Sequence, residues 1–487
     1  MKRILFMRSF LVMLGLFASS DALFGAARSA ASMPDNGIQK TTEETKDAFD
    51  VIVVGAGVAG LACAKKLKEN DKNCKVLVLE GNNRIGGRIW TDRSLGEKIP
   101  VDLGAGWIHG PDGNPITDIA KNVGLAQWFN HTFTRGSSMF DVRGNSESRT
   151  RLWDLGKELK QYASDLFEED EKVGDQSVQA IVDQFVRVRN LTQDDALLIN
   201  NWVRWVIESD YAATASKLSL SQPLTDLGGK EDSPFQGDDV LLTEYDRIID
   251  YLATGLDIRL NEKVTEIAYD LDGVTVSSAS GKKITAQYVV CTVPLGVLKH
   301  GDITFTPDLP TSKKNAINRL QMGILDKIVL EFPTKFWPHS LSYVTETQGQ
   351  ASNFFDYSHY VPKPILIGFI AGDAAQELED KKDEEIIHGV MTTLRSTQDW
   401  KTIPMPDPEK YLITRWGKNP FSYGSYSFVP VGGSREDYKV MAEPVAGKIF
   451  FAGEATNYNH PATVHGAYLS GIREADRIIK PVGAVAV

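Results

Sequence analysis

Three glycines at fixed spacing are the first residues that suggest chemistry. They are Gly55, Gly57 and Gly60, and the apolar, β-branched run 50–54 in front of them is typical of a buried strand. In this pattern the first glycine permits a tight turn, the second lets the backbone approach a pyrophosphate, and the third lets helix and strand pack closely. A helix that begins here also directs the positive end of its dipole at the phosphates. The pattern predicts a dinucleotide-binding site.

An acid and an arginine farther along the chain strengthen this prediction. Glu80 ends a second apolar run, 75–80, at the place where a carboxylate accepts hydrogen bonds from ribose hydroxyls. The segment 84–88, Arg-Ile-Gly-Gly-Arg, follows shortly, and Arg88 suits a further contact with phosphate. These stretches together predict one βαβ unit that binds a ligand. A simple glycine-rich turn would not need the second strand or the acid at its end.

Length and charge limit the class of protein. The chain has 487 residues, too many for one compact core, so we expect two domains or more. Its formal net charge of −11 argues against a nucleic-acid partner, which needs a basic face. Cys63, Cys74 and Cys291 lie far apart with no C-x-x-C pair, so neither a disulfide framework nor a metal site is expected. Cys63 and Cys291 are predicted to be buried.

The amino-terminal residues resemble a targeting segment. A basic start, an apolar run over 4–17 and small residues up to position 22 predict a secretory signal peptide over 1–22, followed by a polar linker over 23–48. We therefore expect the secretory pathway, the cell exterior, or an organelle reached through that pathway. Two N-x-[ST] sequons, at Asn130 and Asn190, would then accept glycans. No later segment is long and apolar enough to span a bilayer.

Hydrophobic periodicity predicts the remaining elements. The stretch 152–207 has mostly helical spacing, and a last helix is predicted over about 466–479. Asp272-Gly273 predicts a hairpin turn between strands at 264–269 and 274–277. Further strands are predicted at 258–260, 288–292, 327–332, 365–370, 411–415 and 448–453. Candidate core positions of the helical stretch are Trp153, Leu159, Phe167, Ile181, Phe185, Leu197, Trp202 and Trp205.

Three motifs in a fixed order resemble those of the flavin-containing amine oxidase family. They are the glycine motif with Glu80, the segment 107–110 (Trp-Ile-His-Gly), and the carboxyl-terminal pair 450–456 and 461–467. The resemblance covers the chain from about 50 to 479. Within the family, Trp-Ile-His-Gly is most similar to the polyamine oxidases that act on spermine or acetylated polyamines. The resemblance implies FAD as the cofactor, and the extension 84–88 agrees with FAD better than with NAD.

The resemblance also implies an α/β fold with a definite domain plan. A Rossmann-like FAD-binding domain would be assembled from 49–125, 236–300 and 441–481. An inserted α+β substrate-binding domain would comprise 126–235 and 301–440.

Cofactor contacts follow from the same resemblance. Glu80 would bind the adenosine ribose, Arg88 the pyrophosphate side, and Val264 the adenine through its backbone. Glu454 would lie near the pyrophosphate and the ribityl chain. The full set of implied cofactor-binding residues is Gly55, Gly57, Gly60, Glu80, Arg88, Val264, Trp416, Glu454, Thr463 and Val464.

Catalytic residues are implied at three positions. Lys327 matches the family lysine that holds a water against flavin N5, although its alternation with Val329 and Glu331 by itself indicates a solvated strand face. Tyr426 matches one aromatic wall of the amine cage, whereas the other wall is Thr463 and not an aromatic residue. His109 would orient the substrate chain or keep the reacting nitrogen unprotonated.

One further position concerns how the flavin is held. Ser425 stands where monoamine oxidases carry the cysteine that bonds to the flavin. A serine cannot form that thioether, and we therefore expect non-covalent FAD.

The predicted activity is oxidation of a small-molecule amine, most similar to a polyamine, with O2 to an aldehyde, a smaller amine and H2O2. Glu208 and Asp210 are candidates for binding distal ammonium groups. An L-amino-acid oxidase or monoamine oxidase is the alternative, but the segment 103–110 offers no arginine for a substrate carboxylate. A histone-lysine demethylase would carry a long helical insertion and no signal segment. A further alternative is not an enzyme but a binding or escort module that keeps the same fold without flavin.

Overall fold

The structure, a computed structural model, describes residues 48–127, 137–141, 148–169, 175–222, 235, 239–337, 340–344, 351–396 and 404–480. These residues belong to one compact unit, Lys46–Val487. The predicted signal peptide, the predicted linker up to residue 47, and the sequon at Asn130 lie outside the described residues.

A mostly parallel sheet carries the glycine motif. Its central strand, Ala48–Val54, pairs in parallel with Val76–Leu79 on one side and with Lys283–Cys291 on the other. Asp257–Arg259 pairs in parallel with Val76–Leu79, and Ile449–Phe451 with Lys283–Cys291. The sheet therefore joins segments from both ends of the described chain. Its other strands are Val264–Tyr269, Val274–Ser278 and Thr304–Thr306.

The central strand is buried on both faces, as its continuous apolar run predicts. Val51 and Val53 pack into the core on one side of the sheet, and Ile52 and Val54 into the core on the other. The predicted hairpin is also confirmed, because strands Val264–Tyr269 and Val274–Ser278 pair antiparallel around Asp272-Gly273.

A second sheet is mostly antiparallel and holds Lys327 near its edge. Strand Leu325–Glu331 pairs antiparallel with Lys410–Ile413 and with Ile365–Ala371. The remaining strands of this sheet, in order, are Asn353–Asp356, Ser340–Val344 and Ser137–Asp141. Short two-stranded ladders pair Thr91–Asp92 with Val101–Asp102, Trp107–Ile108 with Val240–Leu241, and Gln321–Gly323 with Tyr426–Phe428.

Helices cover the first sheet and form most of the stretch 148–211. The first helix packs against the last, where a Cβ on Gly471 would lie 2.1 Å from the backbone oxygen of Ala59. The helices of the described residues are Val58–Asn70, Pro115–Asn122, Ser148–Glu169, Val178–Val188, Gln193–Trp202, Ser209–Tyr211, Asp246–Ala253, Leu295–His300, Thr311–Arg319, Gly372–Glu379, Asp383–Arg395, Glu436–Ala442 and Val464–Ile479, with a π-helix at Val203–Glu208 and 3₁₀ turns at Tyr357–His359 and Glu454–Thr456.

The α/β fold predicted from the sequence is confirmed, and the limits of the two predicted domains stay a prediction.

The helical stretch is present, but the prediction that Trp153 belongs to its core was wrong. Its side chain is 40% exposed, because Leu152 and Leu155 take the buried positions of that helix. Among the described residues, no helix combines the length and apolar character needed to cross a membrane.

Candidate active site

One large cavity brings the predicted site residues together. It has a volume of about 1120 Å³ and lies where strands ending at Val54 and Leu79 give way to loops. Such a position, outside the carboxyl ends of parallel strands, is where open α/β sheets bind their ligands. Residues from the sequence prediction that line the cavity are Gly55, Gly57, Glu80, Arg88, His109, Val264, Lys327, Trp416, Tyr426, Glu454, Thr463 and Val464.

The three glycines of the motif serve three different purposes. Gly55 has a φ of +105°, which an L side chain rarely adopts. A Cβ on Gly60 would lie 2.0 Å from the oxygen of Gly55, so only glycine allows the helix to approach the strand. A Cβ on Gly57 would meet no protein atom within 4 Å and would project into the cavity. Gly57 therefore keeps clear a space beside the helix amino terminus, where a pyrophosphate fits.

Glu80 closes the same end of the cavity. The backbone N–H of Ala56 donates to its Oε2 at 2.7 Å, and that of Asn82 donates to its Oε1 at 2.8 Å. These bonds fix a buried carboxylate at the cavity wall, and each oxygen retains a second lone pair for a hydroxyl. The geometry agrees with the predicted ribose contact.

Arg88 and Glu454 form a partly buried ion pair that the sequence did not suggest. Arg88 Nη1 donates to Glu454 Oε1 and to the oxygen of Ser425, both at 2.9 Å. The second carboxylate oxygen of Glu454 accepts from Ser427 Oγ at 2.6 Å and from the backbone of Ala462 at 3.0 Å. The pair joins three chain segments at the cavity, and both residues remain part of its lining.

The helix Val464–Ile479 begins at the cavity wall. Thr463 is its N-cap, with Oγ1 accepting from the backbone of Gly466 at 2.9 Å and donating to the oxygen of His460 at 2.9 Å. The Thr463 hydroxyl is thus used within the chain. Trp416 is buried, and its indole N–H points to the oxygen of Leu103 at 3.4 Å.

Lys327 is buried, so the solvated-face interpretation of its strand was wrong. Its side chain is 5% exposed, and Val329 and Glu331 are buried with it. The ammonium donates to the backbone oxygens of Asp102 at 2.6 Å and Gly104 at 2.7 Å, and it lines the cavity. Burial lowers the pKa of Lys327 to about 8, opposed by the nearby charge of Asp102.

Tyr426 forms a fixed wall of the cavity. Its hydroxyl donates to the oxygen of Ser209 at 2.7 Å, and burial, followed by the charge of Asp210, raises its pKa. Ser209, Asp210 and Tyr211 follow directly after the π-helix Val203–Glu208 and all line the cavity. A π-turn of this kind often occurs at functional sites. Here it precedes three consecutive residues that line the cavity, one of which, Ser209, accepts from the hydroxyl of Tyr426.

The two candidate acids of this segment, Glu208 and Asp210, differ in their position relative to the cavity. Asp210 lines the cavity, as proposed from the sequence. Glu208 is not part of the lining and accepts instead from the backbone of Ala215 at 2.8 Å. Only Asp210 is therefore placed to contact a ligand.

His109 lies beside an acid that the sequence did not single out. Its Nδ1 lies 2.9 Å from Asp239 Oδ2, while the backbone of Gly110 donates to Asp239 Oδ1 at 3.1 Å. Both His109 and Asp239 line the cavity, and the His109 side chain is 56% exposed. Nearby, the rings of Phe235, His460 and His465 pack within 4.9–5.0 Å of one another.

Ser425 is also held by the chain itself. Its Oγ donates to the oxygen of Leu325 at 3.1 Å and accepts from the nitrogen of Leu325 at 2.8 Å. These bonds tie the segment that carries Tyr426 to the strand that carries Lys327. The Ser425 hydroxyl is thus used within the chain, and non-covalent FAD stays a prediction.

Three acids near the site were missed from the sequence. Asp102 accepts from Lys327 through its backbone oxygen, Asp239 contacts His109, and Asp326 lies buried on the strand of Lys327. Each lies far along the chain from its partner or is surrounded by ordinary strand residues. No local motif distinguishes these acids from other aspartates.

Comparisons with known proteins agree with this geometry. The chain is 35% identical over 449 residues to lysine-specific histone demethylase 1 homolog 1 of Arabidopsis thaliana, covering 88% of this chain and 52% of that protein. It thus spans about half the length of the demethylase relatives that it matches. It is 34% identical over 450 residues to polyamine oxidase 4 of Oryza sativa subsp. japonica, covering 89% of both chains.

The fold has a counterpart among solved structures. Wild-type putrescine oxidase bound to putrescine superposes with a TM-score of 0.70 at 20% identity, over 89% of this chain and 99% of that one. Residues 58–479 match the family described as flavin containing amine oxidoreductase. The cavity suits the cofactor of that family, because Gly57 leaves room for a pyrophosphate and Glu80 offers a fixed carboxylate. The chain therefore belongs to the flavin-containing amine oxidoreductase family, and FAD is its cofactor.

Proposed function

We propose that the protein oxidises polyamines, with O2 as the electron acceptor. The net reaction converts an amine, O2 and water into an aldehyde, a smaller amine and H2O2. FAD supplies the acceptor for the hydride equivalent that leaves the carbon next to the reacting nitrogen. The residues of the chain bind, orient and adjust the protonation of the substrate.

One observation carries the choice of a polyamine. Asp210 and Asp239 both line the cavity that holds Tyr426, and they come from separate segments of the chain. A small monoamine has one nitrogen and needs one contact. A polyamine has ammonium groups beyond the reacting nitrogen, and carboxylates on the cavity wall are their natural partners.

The aromatic and histidine side chains act on the reacting end. The ring of Tyr426, fixed by its bond to Ser209, offers an apolar face against which an amine can be oriented. His109, next to Asp239, is placed to accept or hold a proton near the substrate. Oxidation needs the reacting nitrogen in its neutral form, so a proton acceptor in the cavity favours the reaction.

The comparisons also support a methylated lysine as a competing substrate. Demethylase relatives are as similar in sequence as the polyamine oxidase relatives, at 34–35% identity. Their additional length lies outside the region matched by this chain. A methylated lysine side chain is itself an amine and would meet the same Tyr426 wall.

An amine panel tests the proposed function. Purified FAD-loaded protein is given spermine, spermidine, their N-acetyl forms, putrescine, benzylamine, leucine and a methyl-lysine peptide, and H2O2 release is measured. We expect turnover of at least one polyamine with kcat/KM well above those of benzylamine and leucine. Preference for the methyl-lysine peptide, for benzylamine or for leucine would contradict the proposal.

We also propose that the chain enters the secretory pathway and carries a glycan. The sequon Asn190-Leu191-Thr192 supports this, because Asn190 is exposed in a left-handed turn (φ 49°) between two helices. A mass decrease after treatment with an N-glycosidase, absent from Asn190→Gln, is the expected result. An unchanged mass at Asn190 in protein from a eukaryotic secretory host would contradict the glycan.

A further inference from the structure

We propose that Asp102 is the counter-ion of Lys327 and holds that lysine in the form that donates a hydrogen bond into the cavity. Asp102 lies in the short strand Val101–Asp102, whereas Lys327 lies in Leu325–Glu331 of a different sheet. Asp102 does not line the cavity and would act only through Lys327, as a positioning residue. The functional part of this inference rests on the proposed amine oxidation.

The hydrogen bonds of Lys327 give its charge a direct geometric consequence. An ammonium has three hydrogens, and two of them go to the backbone oxygens of Asp102 and Gly104. One N–H remains for the cavity. If the amine were neutral, its two hydrogens would satisfy the same oxygens and the position toward the cavity would be a lone pair. The proton on Lys327 therefore decides whether the cavity faces a donor or an acceptor.

The surroundings of Asp102 show that its carboxylate is held in place. It is 4% exposed, and its Oδ1 accepts from Thr91 Oγ1 and from the backbone of Tyr245. Its Oδ2 is buried and has no hydrogen-bond partner among the described residues. A buried carboxylate with an unsatisfied oxygen is unfavourable unless a nearby positive charge compensates it. The ammonium of Lys327, which bonds the backbone oxygen of the same residue, is the positive charge that acts on this carboxylate.

Other ionisable groups near the pair are few in the described part of the chain. The charge of Asp246 acts on Asp102, and burial, followed by the charge of Asp102, raises the pKa of the nearby phenols of Tyr357 and Tyr245. Asp246 is itself paired with Arg93 at 2.6 Å, which offsets its charge. Asp102 is the charged neighbour that acts on Lys327.

The direction of the effect follows from the sign of each charge. Burial raises the pKa of Asp102 to about 7 and lowers that of Lys327 to about 8, while attraction between the two charges opposes both shifts. Removing the negative charge of Asp102 removes the attraction that keeps Lys327 protonated. The lysine then loses its proton at lower pH.

Kinetics across pH provide the first test. The rate of flavin reduction by a saturating polyamine is measured from pH 6 to pH 10 for wild type, Lys327→Met and Asp102→Asn. The ionisation that disappears in Lys327→Met belongs to Lys327. We expect Asp102→Asn to move it to lower pH by about 1–3 units. An unmoved ionisation would overturn the proposal.

Two further variants separate charge from general damage. Asp356→Asn removes another buried aspartate that pairs with a lysine, Lys335 at 2.7 Å, away from the cavity. It should lower stability yet leave the Lys327 ionisation in place, and an equal shift would count against the proposal. If Asp102→Asn does not fold, Thr91→Val removes one bond to the charged carboxylate and should give a smaller shift in the same direction.

A stability cycle gives a readout that needs no substrate. The Tm of FAD-loaded wild type, Asp102→Asn, Lys327→Met and the double variant is compared at pH 7.5. A counter-ion pair predicts that the double variant loses less than the sum of the single losses. Additive losses would overturn the pair. Failure of every amine in the panel would instead refute the proposed function and leave this cycle interpretable.

Discussion

Lys327 shows how one buried charge can be assigned a role by experiment. Lys327→Met keeps the length and apolar stem of the side chain but removes the donor that faces the cavity. We expect the variant to retain FAD and to slow flavin turnover roughly tenfold to thousandfold, as expected for loss of a positioned charge in a dry site. Stopped-flow absorbance separates reduction by the amine from reoxidation by O2.

A second lysine provides the control for this prediction. Lys335→Met also leaves a buried aspartate, Asp356, without its lysine partner, but Lys335 does not line the cavity. Both variants should lose stability, while only Lys327→Met should slow the flavin. Wild-type rates of both half-reactions in Lys327→Met would return the residue to a structural role.

Ser425 allows an equally direct test of how FAD is held. A serine cannot form a thioether, and the Ser425 hydroxyl is hydrogen-bonded to the backbone of Leu325. We therefore expect no covalent link to the flavin. Acid precipitation should leave yellow FAD in the supernatant and a colourless protein pellet. Flavin fluorescence that stays with the denatured chain would contradict this expectation.

Residue types with a local motif could be recognised from the sequence, and others could not. The glycines and Glu80 stand within one βαβ unit, so their spacing alone indicates a dinucleotide site. The burial of Lys327 depends on the strand Val101–Asp102, which lies more than 200 positions earlier in the chain. Hydrophobic alternation reports on one strand and carries no information about what packs on it. For that reason the sequence indicated a solvated face.

At the scale of an element, the glycine turn offers a matched pair of substitutions. Gly57→Ala adds a methyl group that meets no protein atom within 4 Å, so the fold should tolerate it. The methyl group would occupy space that the pyrophosphate needs, and FAD affinity should fall on the order of tenfold or more. Apo-protein titration with FAD, followed by flavin fluorescence, measures this loss.

Gly60→Ala should behave in the opposite way. Its methyl group would lie 2.0 Å from the oxygen of Gly55, so strand and helix must move apart. We expect a loss of about 1–3 kcal/mol in unfolding free energy, typical of overpacking. Equal effects of the two substitutions on FAD affinity and on stability would contradict the separate purposes assigned to these glycines.

A second feature at this scale is a pair of neighbouring acids, Asp326 on the strand of Lys327 and Glu379 at the end of the helix Gly372–Glu379. Asp326 is fully buried, and its Oδ1 accepts from Thr414 Oγ1 at 2.7 Å and from the backbone of Trp416 at 3.1 Å. Glu379 lies next to it and accepts from the backbone of Gly417 at 2.6 Å. Burial first, and then the charge of Glu379, raise the pKa of Asp326 to about 8. The two acids together position the segment that brings Trp416 to the cavity.

This pair predicts a definite dependence of stability on pH. Because the folded state holds a proton that the unfolded Asp326 releases near pH 4, stability falls as pH rises from about 4 to about 8. Asp326→Asn keeps the acceptor for Thr414 and Trp416 and offers Glu379 an amide donor. The variant should match wild type at about pH 4 and exceed it by a few kcal/mol near pH 9. Urea unfolding of the FAD-loaded protein at both pH values measures this difference. Parallel pH dependences of the two proteins would contradict a proton held by Asp326 in the folded state.

At the scale of the whole molecule, the site is assembled from distant segments. The cavity joins residues near 55, 80, 109, 210, 327, 426 and 463, which come from both large sheets, from short two-stranded ladders and from helix ends. The α/β class and most strands follow from hydrophobic runs, but the acids at 102, 239 and 326 acquire meaning only when the sheets are packed. Trp153 illustrates the same limit, since helical spacing alone does not determine which side of a helix meets the core.

The distribution of charge over the cavity predicts how salt and pH affect a polyamine substrate. Asp210 and Asp239 are the proposed partners of distal ammonium groups. Asp210→Asn should raise KM for spermine about tenfold while changing KM for a monoamine little, whereas Asp373→Asn, an exposed acid paired with Lys217, should change neither. Added salt should raise KM for spermine in wild type and less so in Asp210→Asn.

The same chemistry fixes the direction of the pH effect. A free amine has a pKa near that of lysine, about 10.4, and only its neutral form is oxidised. Burial in the cavity disfavours the ammonium and lowers the pKa of the bound nitrogen, so kcat/KM should rise with pH through an ionisation below that value. His109→Ala should weaken this rise and polyamine turnover without loss of FAD, because His109 lies next to Asp239 at the cavity wall. A kcat/KM for spermine that is independent of both salt and pH would contradict a polyamine substrate bound through these acids.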